Sequence, residues 1–457
     1  MFSSFSDQRP APKKQPVSKK KRFSPAQIMV AGFAGVILLG ALILMLPVSS
    51  AEGVVTPFLD ALFTSTTSVC VTGLVVRDTG SYWSSFGQVV ILLLIQIGGL
   101  GVVTVAASMA LLSGRRIGLF QRSTMQEAAS ATQLGGIVRL TKFILNATFG
   151  LEALGAVLMA PVFVHDFGVG RGIWMSIFHS ISAFCNAGID LMGTREAYSS
   201  FTSYAANPII NIALYILIVG GGLGFLTWDD IRTHGIHLKK YRMQSKVILV
   251  TSGVLIVIPA VAFFFLEFSG LPLGERILVS LFQSITTRTA GMNTADLAAM
   301  SEPGQLTMIL LMLVGGSPGS TAGGFKTTTV AVIFASCVAV FRRRDAARMF
   351  GRRIAQDTVS TAATLISLYA VLCIGCGMFL SWHEGLPLLT CLFESASAIA
   401  TVGLTLGITP TLHAASKCVL ICLMFFGRVG GLTLIYAALS GTKKEMGRYP
   451  LDKITVG

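Results

Sequence analysis

Four short segments carry most of the polar chemistry of this chain: FTSTTSVCVTGL (63–74), FHSISAFCNAGI (178–189), FQSITTRTAGM (282–292) and FESASAIATVGL (393–404). Each reads Phe, any residue, Ser, a run of small and hydroxyl-bearing residues, then Gly and an apolar residue. The glycines are Gly73, Gly188, Gly291 and Gly403, spaced 115, 103 and 112 residues apart, and they follow their Phe by 10, 10, 9 and 10 positions. Serine and threonine supply no acid, base or metal-ligand set here. Glycine supplies backbone that approaches closely and adopts φ > 0. Such segments suit the binding of a small cation by main-chain carbonyls, as potassium filters do. Thr72 and Gly73, Ala187 and Gly188, Ala290 and Gly291, and Val402 and Gly403 are the candidate filter residues, with potassium expected at the four glycines.

The elements that hold these segments repeat with them. Apolar stretches precede them at about 26–47, 139–163, 244–266 and 354–381, and others follow at about 87–111, 208–228, 304–341 and 414–439. The following stretches contain paired glycines at Gly98–Gly99, Gly220–Gly222, Gly315–Gly316 and Gly430–Gly431. A long stretch can span a bilayer, which takes about 20 apolar residues; a segment of about 14 can only enter and return. The expected fold is an all-α polytopic membrane protein. Four parallel span–pore-loop–span repeats surround one central pore, giving eight transmembrane helices plus four re-entrant pore helices. The boundaries are a disordered basic tail at 1–25, repeats at 26–116, 117–235, 236–345 (inner helix broken) and 346–441, and a tail at 442–457.

Composition and charge agree with that layout. Of 457 residues, 53% are apolar and 12% charged, with mean hydropathy +0.73; soluble domains carry about 25% charge. The net charge of +14 is not that of a nucleic-acid binder, because 27 of 35 Lys/Arg fall in the tails and the loops between repeats. Six lie between the two spans of a repeat, Arg77, Arg171, Arg195, Arg276, Arg288 and Lys417, and two within apolar stretches, Lys326 and Arg428. By the positive-inside rule both termini are cytoplasmic and all four glycine loops face outward. Short helices entering from outside then aim their partly negative C-termini at the membrane centre, where they favour a cation.

The third inner stretch differs. Gly315, Gly316, Ser317, Pro318, Gly319, Ser320, Thr321, Ala322, Gly323 and Gly324 cannot sustain a continuous helix. A loop beneath the filter is expected there, acting as a gate, with Lys326 seating it. Arg428 in FFGRVGG is expected to face the pore interior, raising a barrier to cations or holding the loop through carbonyls. Glu394 and the Asp229–Asp230 pair read as local structural or interface charges, and Glu152 as the partner of an unnamed basic group. The eight cysteines read as small buried apolar residues. No HExxH motif occurs, and His165, His179, His234, His237, His383 and His413 are dispersed along the sequence, so no enzyme is expected. The main rival is a cation-coupled potassium symporter with alternating access. Many such transporters have inverted rather than parallel repeats.

The glycine loops together with VGGSPGSTAGGFKT and FGRVGGLT resemble the Trk/Ktr/HKT superfamily of potassium transporters over about 26–440. One span before the first pore helix and glycine at all four filter positions make the chain most similar to the KtrB branch. The resemblance implies potassium uptake across the bacterial plasma membrane, with sodium as an activator. It implies a homodimer with one pore per protomer and a cytoplasmic ring of KtrA-type nucleotide-binding regulatory subunits. It also implies gate roles for the 315–324 segment and Arg428. The chain has no GxGxxG nucleotide fingerprint of its own. Its basic loops at 239–242 and 342–353 are candidate contacts for that ring or for lipid headgroups.

Overall fold

The computed structural model describes residues 24–102, 104–105 and 137–438. The tail expected at 1–25 lies almost entirely outside this range, as do the end of the first inner stretch, with Arg115 and Arg116, and the tail at 442–457.

The described chain is helical apart from loops and one two-residue antiparallel hairpin, Arg348–Met349 against Arg352–Arg353. Among the described residues, four helices are long and apolar enough to cross a membrane: α1 (Pro25–Leu44), α4 (Ile137–Phe167), α8 (Met243–Leu266) and α12 (Gln356–Glu384). Helix α1 begins on a capping box. The Ser24 hydroxyl accepts from the Gln27 amide, the Gln27 side chain accepts from the Ser24 amide, and Pro25 occupies the first turn.

After each long helix comes a shorter one that starts at or near a Pro or Gly turn: α2 (Phe58–Cys70), α5 (Val169–Phe184), α9 (Leu273–Thr286) and α13 (Leu388–Ala400). At 1.5 Å per residue these reach about 20–24 Å, less than the roughly 30 Å of a hydrocarbon core. Their phenylalanines, Phe63, Phe178, Phe282 and Phe393, are fully buried, and so are most of their hydroxyls. The long helices instead expose Leu39 (60%), Val157 (69%), Phe265 (65%) and Trp382 (82%). Polar groups inside and apolar groups outside reverse the soluble pattern and fit a lipid surround.

The serine two places after each phenylalanine fastens the short helix to the long one before it. Ser65 donates to the Ile37 carbonyl at 2.6 Å, Ser180 to Glu152 at 2.5 Å, Ser284 to Ile256 at 2.6 Å and Ser395 to Cys373 at 2.9 Å. Pro259 removes the amide that would engage Leu255, and Ser284 also reaches that carbonyl at 3.4 Å.

The helices that follow the glycine loops are α3 (Ser85–Leu100), α6 (Pro208–Gly222) with α7 (Phe225–His234), α10 (Glu302–Leu313) with α11 (Thr327–Phe341), and α14 (Ala414–Val429) with α15 (Gly431–Ala438). The sequence reading expected a break in the third of these alone; each of them breaks. Helices α6 and α7 meet at 102°. Outside the third stretch the breaks are held by Gly101, by Gly224 between α6 and α7, and by Gly430, at φ +83°, +84° and +91°. Three residues before each break stands a second glycine, Gly98, Gly221 or Gly427, pressed against the carbonyl of Val69, Phe184 or Ile399 near a short helix's C-terminus. A methyl group at any of the three would collide with that carbonyl. The landmark in the fourth stretch is therefore Gly427, and Arg428 stands where the first has Gly99.

Two smaller readings change as well. All eight cysteines are free, and Cys337, Cys418 and Cys422 are exposed rather than buried. Cys373 and Cys376 stand in a CxxC spacing on one helix without forming a bond. Glu152 meets no basic group among the described residues; the Gln96 amide donates to it at 3.0 Å.

Candidate functional site

At the end of each short helix the chain makes the same turn. Two residues before each glycine a residue other than Gly adopts the left-handed region: Val71 (φ 56°), Asn186 (58°), Thr289 (69°) and Thr401 (53°). The glycines follow at φ +100°, +67°, +80° and +95°. A β-branched Val or Thr in that region is strained, and strain persists only where the surroundings impose it.

The residue four after each phenylalanine imposes it here. The backbone carbonyls of Thr67, Ser182, Thr286 and Ser397 accept from the amides of Thr72, Ala187, Ala290 and Val402 at 2.8–2.9 Å. Their hydroxyls brace the same turns. Thr67 accepts from the Gly73 amide at 2.9 Å and Ser397 from Gly403 at 3.0 Å, while Ser182 donates to Ile189 at 2.6 Å and Thr286 donates to Met292. The third segment is one residue shorter from Phe to Gly, and these bonds absorb the difference.

The turns close a ring. A methyl group at Gly73 would stand 2.8 Å from the Ala187 carbonyl, and one at Gly188 2.9 Å from that of Ala290. At Gly291 it would collide with the Val402 carbonyl and at Gly403 with that of Thr72. Each glycine thus abuts the carbonyl preceding the next glycine, in chain order and back to the start. The eight residues singled out from the sequence are these four glycines and these four carbonyl bearers. Thr72 and Thr401 bury hydroxyls that have no hydrogen-bond partner among the described residues.

Below the ring lies the loop between α10 and α11. The amides of Ser317 and Thr321 donate to Gly222 at 3.0 Å and Gly221 at 3.2 Å, and the Gly319 carbonyl accepts from Phe225 at 2.9 Å. The Thr321 hydroxyl donates to the carbonyl of Phe184, the last residue of α5, at 3.1 Å. A methyl group at Gly323 would strike the Thr401 hydroxyl, and Gly324 lies against Ala400. Lys326 folds back on its own loop, donating to Ala322 at 2.8 Å and Gly323 at 3.2 Å. Gly315 and Gly316 close the base of the loop, pairing with Phe325 at 2.9 Å and Thr327 at 3.1 Å.

Arg428 joins this loop to the opposite wall. One guanidinium nitrogen donates to the Thr321 carbonyl, and the other to those of Gly98 and Gly99. The side chain thus ties the loop between α10 and α11 to the C-terminal end of α3. Glu394 accepts from the hydroxyls of Thr405, at 2.8 Å, and Thr409, bracing the stretch after Gly403. Asp229 and Asp230 pair with Arg242.

Sequence reasoning passed over several functional candidates. The hydroxyl four places after Phe is present in all four segments and was legible there; the left-handed residues had no such signal. Arg288 is only 7% exposed beside Thr289, and its Nη1 has no hydrogen-bond partner among the described residues.

Comparison with known proteins supplies an independent line. The family of cation transport proteins called TrkH matches residues 2–445. The potassium/sodium uptake protein NtpJ of Enterococcus hirae is 38% identical over 96% of this chain and 98% of its own length. The Ktr system potassium uptake protein B of Bacillus subtilis is 36% identical, over 97% and 99%. The crystal structure of the potassium transporter TrkH from Vibrio parahaemolyticus shares the fold at a TM-score of 0.71, with 20% identity, over 93% of this chain and 86% of that one.

Proposed function

The chain belongs to the TrkH family of cation transport proteins, and from that premise we propose that it takes up potassium through the ring of four glycine turns. The observation that carries this reading is the closed circuit of carbonyls at Thr72, Ala187, Ala290 and Val402 around Gly73, Gly188, Gly291 and Gly403. Carbonyl oxygens replace the hydration shell of a potassium ion. Four short-helix C-termini, each equivalent to roughly half a negative charge, favour the cation below them. A ring one glycine deep gives one principal site.

In this reading each repeat crosses the bacterial plasma membrane twice, its glycine loop entering from outside, with both termini in the cytoplasm. The loop of residues 315–324 is an intramembrane gate that Arg428 holds closed by gripping Thr321, Gly98 and Gly99. The positive charge beneath the ring adds a barrier to cations until the loop moves. A homodimer, with a cytoplasmic nucleotide-binding ring acting on exposed basic loops, would control that movement. The name of the Bacillus relative, as protein B of a system, is in keeping with such partners. Arg342, Arg343, Arg348, Arg352 and Arg353 are exposed around a hairpin with Phe350 at its tip. A second reading gives sodium a part, as activator or co-transported ion, and the name of the Enterococcus relative favours it.

The test is uptake of potassium or its tracer rubidium in a bacterial strain lacking its own uptake systems, with the cytoplasmic partner co-expressed. Growth at micromolar potassium is expected. Uptake strictly proportional to a proton or sodium gradient would replace the channel-like pathway with coupled transport.

A further inference from the structure

The histidines looked dispersed in the sequence, yet two of them meet. His383 and Glu384 end α12, and His413 caps α14, about thirty residues on. One ligand atom from each of the three lies within 4.8 Å of the other two. The Glu384 side chain is 5% exposed and the His413 side chain 73%. Glu384 accepts from His413 Nδ1 at 2.7 Å, from the His413 amide at 3.1 Å and from the Ser416 hydroxyl. The His383 ring makes only ring contacts among the described residues, stacking on Phe379 at 5.6 Å and meeting His413 edge-on at 5.8 Å.

We propose that His383, Glu384 and His413 form a binding site for a divalent transition-metal ion of the zinc type, open to the medium on the side from which the cation approaches the ring. Two imidazoles and one carboxylate are a common zinc ligand set, with the fourth position left to water. In a tetrahedral site with bonds of about 2.1 Å the ligand atoms stand about 3.4 Å apart. The exposed rings can reach that spacing by side-chain rotation, while the buried carboxylate is already fixed by Ser416. The ion takes the place of the proton on His413 Nδ1 that faces Glu384, using the same lone pairs, and that proton passes by way of solvent to Nε2, so the ligating imidazole stays neutral. Imidazole donors favour zinc, nickel or cobalt over magnesium or calcium. A bound ion would pin the end of α12 to the start of α14, ten residues after Gly403.

The experiment uses the full chain purified in detergent without a polyhistidine tag. Zinc chloride and magnesium chloride are titrated calorimetrically, and thermal unfolding is followed with and without zinc. One zinc ion per chain, a raised melting temperature and no magnesium binding are expected. His383→Ala and His413→Ala should each weaken zinc binding at least tenfold, since loss of an outer-shell partner alone costs 10–100-fold, and His383→Ala, whose ring makes only ring contacts among the described residues, should unfold like wild type in the absence of metal. Glu384 is left unchanged because it also holds Ser416. Absence of zinc binding by wild type, or equal affinity in His383→Ala, would overturn the assignment. Neither result bears on the glycine ring, which is read by uptake.

Discussion

Replacing Gly291 by serine tests the ring at one of its two tightest points, the other being Gly403. Gly291 sits at φ +80°. A side chain there would collide with the Val402 carbonyl, stand 2.8 Å from Gly188 Cα and 3.3 Å from Gly403 Cα. The left-handed conformation costs a non-glycine residue about 1–2 kcal/mol, and forcing extra atoms into a packed site about 1–3 kcal/mol more. Relief requires the Val402 turn to move outward, which takes a carbonyl off the ion. If only about 2 kcal/mol of this falls on the potassium-bound state, affinity drops roughly 30-fold, at 1.4 kcal/mol per decade. Rubidium uptake against potassium and sodium competition reads the effect as a raised apparent KM and a lowered potassium-over-sodium ratio. Gly253→Ser is the control, since nothing lies within 4 Å of a methyl group at Gly253. Alanine should also be graded around the ring, worse at Gly291 and Gly403 than at Gly73 and Gly188, where the closest approach is 2.8–2.9 Å. Wild-type KM and selectivity in a normally expressed Gly291→Ser protein would refute the placement of the ion.

Four further outcomes follow from the same geometry. Thr67→Val and Ser397→Ala strip a partner from the buried Gly73 and Gly403 amides. At about 1–3 kcal/mol per unsatisfied group, KM should rise several-fold or more, as read by rubidium uptake. Ser65→Ala and Ser395→Ala remove only the fastening to the long helices, so melting in detergent should fall by about 0.5–1.5 kcal/mol each while ion selectivity stays put. Arg428→Met frees Thr321, Gly98 and Gly99; uptake should become faster and less dependent on the cytoplasmic partner, and a slower variant would count against a holding role. Asp190, two residues after Gly188 in the chain, has its carboxyl pushed up to about 6 by burial, with Asp78 adding to the rise. Its negative charge is therefore present above that pH and lost below it, so uptake at limiting potassium should decline from pH 7 to pH 5, and Asp190→Asn should flatten the decline.

The sequence carried the periodic features well and the long-range ones poorly. Helical, membrane-spanning character follows from composition, and the Phe-x-Ser…Gly spacing marks the turns because the same local geometry recurs. The register of the fourth inner helix was misread because Gly430–Gly431 looks like Gly98–Gly99, whereas the position that must lack a side chain is Gly427, against Ile399. Breaks at Gly101, Gly224 and Gly430 were missed because glycines close to other glycines in an apolar stretch read equally well as close-packing positions within a continuous helix. Only the crossing of helix ends seen in three dimensions demands φ > 0 there. Glu152 was assigned a basic partner on electrostatic grounds, and Gln96 meets it instead. His383 and His413 could not be joined from a linear text, because the turn after Gly403 brings them together.

One chain supplies all four quarters of the ring, and this governs how its selectivity can be altered. In an assembly of four identical subunits a single codon change rewrites every quarter at once, and a mild defect is raised to the fourth power. Here the same change touches one turn and leaves three intact. The left-handed residues are already of three kinds, Val71, Asn186 and the threonines Thr289 and Thr401, and so are the carbonyl bearers, Thr72, the alanines Ala187 and Ala290, and Val402. On the proposed reading, inheritance can therefore adjust the ion site one quarter at a time.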